Sequence, residues 1–346
     1  MIPDLKTKIK AKSKQLGFIL AGVTTPDPPT HYSTFEQWLA QGHHGTMDYL
    51  ATERSRTRRA DPREILLECK SILVLATPYS APRPMEEGLG GRGNIASYAR
   101  GDDYHDILPA RMKELVQFIE EQAGCPVKNR WYTDTGPILE RDLAQRAGIG
   151  WIGKNTCLIN SKSGSYFLIS EILLDLEIEP DEPFVTDYCG TCTRCIEACP
   201  TGCILPNRTL DATRCISYLT IELKDDIPIE LREKIGDWVF GCDICQSVCP
   251  WNRFAVEGDS AFETETPLHN LTEELTLTPQ AFNQRFKRSP IKRAKRRGYL
   301  RNVAVALGNA AGMVALPVLQ NALNHEESMV REHAAWAIEQ INKRKT

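Results

Sequence analysis

Apolar residues in the first half of the chain follow helical and strand-like patterns in alternation. Leu5 and Ile9 recur at helical spacing, whereas FILAGV at 18–23 and SILVLATPY at 71–79 are apolar runs of strand length. The same reasoning predicts further elements: a helix through Met112, Leu115, Val116 and Ile119, a strand at 129–133, a helix from Pro137 to Gly148 and a strand at 165–176. Alternating strands and helices predict an α/β catalytic domain over residues 1–180.

The C-terminal region is patterned as helices. Two apolar stripes recur at helical spacing: Leu300, Val303, Ala304, Leu307 and Ala311, then Val330, Ala334, Ala337, Ile338 and Ile341. Pro317 starts a short helix between them. These helices resemble a HEAT repeat, whose period is about 40 to 47 residues, and there is room for only one. Because a single repeat cannot bury its own apolar face, we expect the segment to pack onto the rest of the protein.

Eight of the twelve cysteines form two runs. The first run is C-x2-C-x2-C-x3-C-P, the bacterial pattern that ligates 4Fe-4S clusters, and it comprises Cys189, Cys192, Cys195 and Cys199. The second run comprises Cys242, Cys245 and Cys249, with Cys215 upstream as the missing ligand. Residues 181–255 are therefore predicted to be a ferredoxin-like insert with two 4Fe-4S clusters.

The ligands can be assigned because the cysteine before proline serves the other cluster in proteins of this kind. One cluster then takes Cys189, Cys192, Cys195 and Cys249, and the second takes Cys199, Cys215, Cys242 and Cys245. Two structural zinc sites are the alternative, but they explain neither the third in-phase cysteine nor the two C-P endings. The remaining cysteines are interpreted as small buried hydrophobic residues: Cys69, Cys125, Cys157 and Cys203.

Composition is that of an ordinary globular protein, with 42% hydrophobic and 25% charged residues among 346. The N-terminus lacks the apolar core of a signal peptide, and no apolar run reaches the roughly 18 residues that cross a bilayer. We therefore expect a cytoplasmic protein with no membrane partner. In a reducing cytosol, cysteines are better explained as metal ligands than as disulfides.

A dense basic run lies in a chain whose net charge is only -3. It contains no acidic residue and comprises Arg285, Lys287, Arg288, Lys292, Arg293, Lys295, Arg296, Arg297 and Arg301. Charge runs are often only solvated surface, but this density on a slightly acidic protein is typical of phosphate contacts. No groove-reading or RNA-binding motif is visible, so we expect nucleic acid to be bound by shape and phosphate. Residues 256–346 are interpreted as this basic linker followed by the HEAT-like helices.

Long blocks around these motifs resemble the epoxyqueuosine reductases, cobalamin-dependent enzymes that complete queuosine synthesis on tRNA. The blocks are GHHGTMDYL from Gly42, ARGDDYHDIL from Ala99, DTGPILERDLAQRAGIGWIGKN from Asp134, CISYLTIEL from Cys215 and GCDICQSVCPWNRF from Gly241. The resemblance spans nearly the whole chain. It implies that the protein removes the epoxide oxygen of epoxyqueuosine at the wobble position of tRNA, with electrons passing from the clusters to cobalamin.

The resemblance also implies a proton donor, Asp134, in the block DTGPILER. Asp134 precedes a helix predicted to open at Pro137, so a helix N-cap is the alternative role. A helix N-terminus lowers the pKa of a carboxyl, whereas a donor at neutral pH needs a pKa raised by burial or a nearby negative charge.

The cofactor pocket is sought among residues in or beside the matching blocks: Arg59, Tyr98, Lys154, Asn155 and Ser217. Lys154 and Asn155 follow the glycine-rich turn GIGWIGKN, where backbone donors could hold a phosphate or an amide. A tight turn between a helix and a strand explains these two residues equally well.

Two other functions are compatible with a cluster domain. A corrinoid reductive dehalogenase has a similar catalytic body but needs no basic run and commonly carries an export signal. A pure electron carrier would need only the insert and would leave the long N-terminal domain without a role. Under the leading interpretation we expect tRNA carrying a queuosine precursor as the substrate, an electron donor protein as a further partner, and a monomer.

Overall fold

The protein is described by a computed structural model that covers residues 5–81, 92–262 and 270–344. Within these residues the strands are β1 Leu20–Thr24, β2 Ser71–Pro78, β3 Asn94–Ile95, β4 Asn129–Tyr132, β5 Trp151–Ile152, β6 Leu158–Ile159, β7 Phe167–Leu174 and β8 Trp238–Phe240. The helices of the first half are α1 Leu5–Gln15, α2 Tyr32–Ala40, α3 Glu53–Ala60, α4 Tyr104–Ala123 and α5 Glu140–Arg146. Those of the second half are α6 Arg194–Ala198, α7 Ile216–Ile221, α8 Ile229–Arg232, α9 Ile244–Ser247, α10 Leu271–Glu274, α11 Pro279–Arg285, α12 Lys295–Ala310, α13 Leu316–Ala322 and α14 Ser328–Lys343.

A four-stranded sheet in the order β1-β2-β7-β4 organises the N-terminal part, and each neighbouring pair is antiparallel. Strand β2 is buried along all eight residues. One face of the sheet packs under α1 and α4, and the other packs under α5. Burial on both faces explains why β2 reads as a continuous apolar run rather than an alternating one. The predicted mixture of strands and helices is confirmed.

One predicted element begins later than expected. The helix placed from Pro137 begins at Glu140, and its N-cap residue is Leu139. Residues between β4 and α5 form a loop instead: Leu139 has φ of -96° and ψ of 77°, outside the helical region, and Asp134 has a left-handed backbone with φ of 59°. Asp134 is therefore not a helix cap, and that alternative is wrong.

The cluster region contains little regular structure. Its short helices α6 and α9, one from each cysteine run, pack against each other. The parallel pair β3 and β8 joins the region to the N-terminal part. Short elements suit a segment whose interior would be metal and sulfide rather than a large apolar core.

The C-terminal helices share an apolar core with the preceding segment. Helices α12 and α14 pack along each other, and α12 also contacts α7 and β8. One cluster of buried residues continues from Ile95 to Ile341 across the domain boundary predicted at residue 255. The segment thus packs onto the rest of the protein, as expected. Its likeness to a HEAT repeat and the three domain bounds stay predictions.

Within the described ranges, none of the helices has the length and apolar character that a bilayer span requires.

Candidate active-site cleft and cluster region

A large cleft lies where the N-terminal sheet, the cysteine-rich segment and the basic run meet. Its volume is about 1760 Å³, well above the roughly 300 to 1,000 Å³ of ordinary ligand pockets. Its walls come from α2 and α3, the loop 133–139, α7, and the turn at 290–294 that leads into α12. The cleft is large enough to hold a bulky cofactor together with a nucleotide.

Asp134 stands at the edge of this cleft on the loop after β4. Its Oδ2 accepts a hydrogen bond from the Tyr104 hydroxyl at 2.8 Å, and His105 Nε2 lies 3.9 Å from the same oxygen. Its backbone N–H donates to Glu140 Oε1 at 2.7 Å. The Asp134 side chain keeps 67% of its surface exposed, so its carboxyl group is open to a bound molecule.

The loop geometry depends on a glycine two residues later. A Cβ atom on Gly136 would lie 2.5 Å from Cγ of Tyr132, so only glycine allows the loop to fold back over β4. The chain therefore holds Asp134 by backbone shape as well as by hydrogen bonds.

Three side chains around Asp134 have raised pKa values: Glu140, Tyr104 and His105. Burial and the Asp134 charge raise the pKa of Glu140 to about 7. Burial and the same charge raise the pKa of Tyr104. A hydrogen bond to Asp103 raises the pKa of His105. At neutral pH, Tyr104 therefore donates its hydrogen bond to an acidic oxygen, and Glu140 titrates.

The residues predicted to bind the cofactor fall into two places. Arg59, Tyr98 and Ser217 line the cleft. Lys154 instead donates through Nζ to the backbone oxygens of Gly190 and Cys192, at 2.7 and 3.0 Å. Asn155 donates to the backbone oxygen of Cys245 at 3.2 Å. Lys154 and Asn155 therefore brace the cysteine loops, and their role as cofactor ligands stays a prediction.

The eight predicted ligands fall into two neighbourhoods, an outer and an inner group. The predicted outer group is Cys189, Cys192, Cys195 and Cys249, and the predicted inner group is Cys199, Cys215, Cys242 and Cys245; this ligand assignment stays a prediction. Within the outer group, burial raises the pKa of the Cys249 thiol, and the nearby Cys189 and Cys195 sulfurs raise it further.

In the inner group, too, burial and neighbouring sulfurs raise a thiol pKa. Burial raises the pKa of the Cys242 thiol, and the sulfurs of Cys215 and Cys199 add to the rise. Cys215 also lines the cleft, so the inner group is the one next to it.

Two further cysteines lie against the inner group. The Cys203 sulfur is 3.5 Å from the Cys199 sulfur and lowers the pKa of Cys199 to about 4. Contact with the Cys157 thiol, followed by burial, raises the pKa of Cys245. From the sequence, Cys157 and Cys203 are interpreted only as small buried hydrophobic residues; Cys203 is buried, whereas Cys157 is only partly buried. Two sequence signals were available: Cys203 lies four residues after Cys199, and Cys157 follows the glycine-rich turn GIGWIGKN.

The basic run divides between the cleft and internal ion pairs. Lys292, Arg293 and Lys295 line the cleft, where Arg293 also pairs with Glu222. Arg285 pairs with the buried Glu274, and Arg296 pairs with Glu326. The first three side chains are the ones placed to meet a ligand in the cleft.

Four other cations of the run lie elsewhere. Arg301 is fully buried and donates to backbone oxygens such as that of Leu219. Arg288 pairs with Asp102. Lys287 and Arg297 are exposed outside the cleft lining. Helical periodicity could have predicted that Arg301 is buried, because it lies beside the apolar stripe of α12.

Two protein-family models match the chain. Residues 188–252 match a model described as a 4Fe-4S double cluster binding domain, and residues 59–135 match one described as Epoxyqueuosine reductase QueG, DUF1730. The first match supports two 4Fe-4S clusters rather than structural zinc. The fold and the site thus define an iron-sulfur protein that has a double cluster domain beside a large cleft.

Whole-chain comparisons are more specific. An epoxyqueuosine reductase from Cyclobacterium marinum is 41% identical over 297 residues, which are 85% of this chain and 94% of the relative. The chain belongs to the epoxyqueuosine reductase family, as the resemblance implied, and it is an oxidoreductase.

Solved structures agree with this assignment. The structure of epoxyqueuosine reductase from Streptococcus thermophilus matches with a TM-score of 0.89 and 30% identity, covering 98% of this chain and 91% of that one. A crystal structure of epoxyqueuosine reductase with a tRNA-Tyr epoxyqueuosine-modified stem loop matches with a TM-score of 0.88 and 31% identity, covering 98% and 90%.

Proposed function

We propose that this protein reduces epoxyqueuosine to queuosine at the wobble position of tRNA. The observation that carries the proposal is the cleft itself, which brings Asp134, Cys215 of the inner group and three cations of the basic run to one place. A relative with the same fold binds an epoxyqueuosine-modified tRNA stem loop. A dehalogenase or a free-standing electron carrier would leave the cationic rim of the cleft unexplained.

Removal of the epoxide oxygen as water consumes two electrons and two protons. The eight cysteines would hold two 4Fe-4S clusters, which supply electrons one at a time. The outer group lies in the exposed segment around residues 189–195, and the inner group lies beside the cleft. An electron donor protein would therefore dock at the outer group. Electrons would then pass from the outer cluster to the inner cluster and on to the cleft.

Cobalamin fits the cleft by size and by position. The volume of about 1760 Å³ exceeds what a nucleotide alone needs, and Cys215 of the inner group forms part of the wall. Arg59, Tyr98 and Ser217 would contact the cofactor. When bound, a corrinoid supplies one-electron chemistry at carbon, which links single-electron carriers to a two-electron reduction.

Asp134 would donate a proton to the epoxide oxygen. Its carboxyl group faces the cleft, and the Tyr104 hydroxyl and the Glu140 carboxyl hold the loop that carries it. Apolar faces of the cofactor and the substrate would shield Asp134 from water, which favours the protonated acid. The protein thereby orients the donor and excludes solvent from the reacting oxygen.

The rest of the chain would bind the tRNA. Lys292, Arg293 and Lys295 would contact phosphates at the cleft rim, and the HEAT-like helices behind them would support that surface. In this division residues 1–180 hold the cofactor, 181–255 carry the clusters and 256–346 contact tRNA. We also propose that the protein acts as a monomer in the cytoplasm, where its tRNA substrate is found.

The direct experiment is anaerobic purification followed by a metal count and an assay on tRNA. About eight irons and one cobalt per chain are expected from two clusters and one corrinoid. Reduced protein should convert epoxyqueuosine to queuosine in a tRNA stem loop, as followed by nucleoside chromatography. A fully loaded protein that leaves the epoxide intact would overturn the proposed function.

A further inference from the structure

A glutamate lies in the middle of the buried sheet without a partner. Glu171 is on β7, opposite Val74 of β2 and Tyr132 of β4, and its side chain is 0% exposed. Among the described residues, neither of its carboxyl oxygens has a hydrogen-bond partner. An ionised carboxylate in such a place costs several kcal/mol or more, so the group keeps its proton instead. The pKa of Glu171 is accordingly raised well above its usual range, first by burial and then by the charge of Glu140.

The position of Glu171 points it toward the active-site loop. Side chains alternate between the two faces of a strand, so Glu171 shares its face with Ile169 and Leu173. Those two residues belong to the apolar cluster that also contains Leu143 of α5 and Ile138 of the active-site loop. Glu171 therefore lies under the segment that carries Asp134 and Glu140.

Glu140 lies between the sheet and Asp134. It is the first residue of α5, it lines the cleft, and its Oε1 accepts the backbone N–H of Asp134 at 2.7 Å. Three carboxyl groups from three elements thus lie in sequence from the core of the sheet to the cleft. A buried acid that has no hydrogen-bond partner among the described residues destabilises the fold, and this cost points to a role in the reaction.

We propose that Glu140 and Glu171 form a proton store that reloads Asp134 during each turnover. The inference rests on the proposed function, because that reaction needs two protons while Asp134 holds one. The two electrons come from the clusters of the proposed function. Asp134 gives its proton to the epoxide oxygen as the first carbon–oxygen bond breaks, and it becomes a carboxylate. Glu140 then passes a proton to Asp134 and is itself refilled from Glu171. Each transfer runs through a bridging water, because among the described residues no direct hydrogen bond joins the three carboxyl groups. Asp134 delivers the second proton, water leaves, and solvent recharges the store when the cleft opens.

The electrostatic surroundings of Glu140 suit this role. Burial and Asp134 raise its pKa to about 7, while Arg141 of α5 and Arg59 of α3 lower it. Tyr104 of α4 faces the same carboxyl group and keeps its own proton. Glu140 is therefore protonated below about pH 7 and ionised above it, so the store is full below that pH and empties as the pH rises. Glu140 and Glu171 both act through Asp134 and are positioning residues.

The test uses the fully loaded protein and two conservative variants. Glu140→Gln keeps an oxygen that can accept the Asp134 N–H, and Glu171→Gln keeps the buried volume, but neither amide can release a proton. Both variants should bind the tRNA stem loop and show unchanged cluster and cobalamin spectra. Their steady-state rates should fall on the order of 100-fold. The wild-type rate should decline as the pH rises through about 7, and Glu140→Gln should lose that decline.

A matched control is Glu339→Gln, which alters an exposed carboxyl group that pairs with Lys343 on α14. It should leave the rate and its pH profile unchanged. Added formic acid should accelerate the Glu140→Gln variant, whose side chain lines the cleft, and not the wild type. Variants that keep the wild-type rate and pH profile would overturn the proton store.

A second measurement does not depend on turnover. The infrared difference spectrum of the wild-type protein minus Glu171→Gln at pH 7 should show the carbonyl stretch of a protonated carboxylic acid. The difference isolates Glu171, because Glu140 contributes to both samples. If the wild-type protein lacks this band, the store is refuted even when tRNA is converted. If the band is present but no tRNA is converted, the proposed function fails instead.

Discussion

At the scale of single residues, the cleft depends on how Asp134 is held. A non-glycine residue with a φ of 59° is uncommon, and aspartate and asparagine are among the residues that tolerate it best. Tyr104 and Glu140 fix the loop from two sides, through the carboxyl group and through the backbone N–H. The reactive carboxyl group is therefore preorganised, while its surface stays open to the substrate.

Replacing this carboxyl group tests its role directly. Asp134→Asn keeps the left-handed backbone and an oxygen for the Tyr104 hydroxyl, but it cannot donate an acidic proton. We expect single-turnover conversion of epoxyqueuosine tRNA to fall about 10² to 10⁴-fold, with tRNA affinity unchanged. Rapid-quench assays and a binding isotherm measure the two quantities. A variant that reacts within a few-fold of the wild-type rate would remove Asp134 as the donor.

At the scale of elements, the predictions succeeded where a local pattern decides the structure. The apolar run at 71–79 became β2, and the stripe ending at Ala311 became α12, because burial of a continuous face fixes both. The start of α5 was misplaced because Leu139 has a non-helical backbone, which the local helix signal of Pro137 does not reveal. Glu171 was not singled out as a site residue, although a charged residue within an apolar strand-like run is itself a signal of function.

The ligand assignment in the cluster region can be tested with paired variants. Changing both Cys189 and Cys249 to Ala should leave about four of eight irons, because the two residues serve the same outer cluster. Changing Cys189 and Cys215 together should remove nearly all of the iron, because each cluster loses a ligand. Iron analysis after anaerobic reconstitution measures the difference, with the exposed Cys125→Ala as control. Loss of both clusters in the first pair would mean that the two runs are not interlocked.

The turn at 290–294 and the first turn of α12 carry the cationic rim. Changing both Lys292 and Lys295 to Ala should weaken binding of the tRNA stem loop. It should also reduce the slope of log affinity against log salt by about 1.5, because each phosphate contact contributes about 0.7 to 0.9. Affinity titrations at several salt concentrations test this. The exposed pair Lys70 and Lys113, outside the cleft lining, is the matched control and should change neither quantity.

At the scale of the whole molecule, the cleft is stabilised by a core that crosses the predicted domains. The cluster of buried residues from Ile95 to Ile341 joins the C-terminal helices to the segment that carries the inner cysteine group. The sequence could not show this sharing, because it depends on long-range packing of α12 against α7 and β8. Loosening of the C-terminal helices should therefore also disturb the cleft.

His333 on α14 makes this core sensitive to acid. It is 0% exposed, its Nε2 accepts the backbone N–H of Ile227 at 3.1 Å, and its Nδ1 donates to the Met329 oxygen at 2.7 Å. The bond to Nε2 needs the neutral ring, because a protonated Nε2 can no longer accept the Ile227 N–H. Burial, with the nearby Arg232 charge, lowers the pKa of His333 to about 3.

The unfolded chain takes up a proton at His333 near pH 6.5, whereas the folded protein does not until about pH 3. The contribution of His333 to stability is thus complete above pH 6.5 and falls by up to about 1.4 kcal/mol per pH unit below it. His333→Gln should be less stable at pH 7, but its stability should depend less steeply on pH between 5 and 6.5. Urea unfolding under anaerobic conditions measures both slopes. Equal slopes would show that His333 does not couple folding to pH, and that the acid sensitivity of the core has another source.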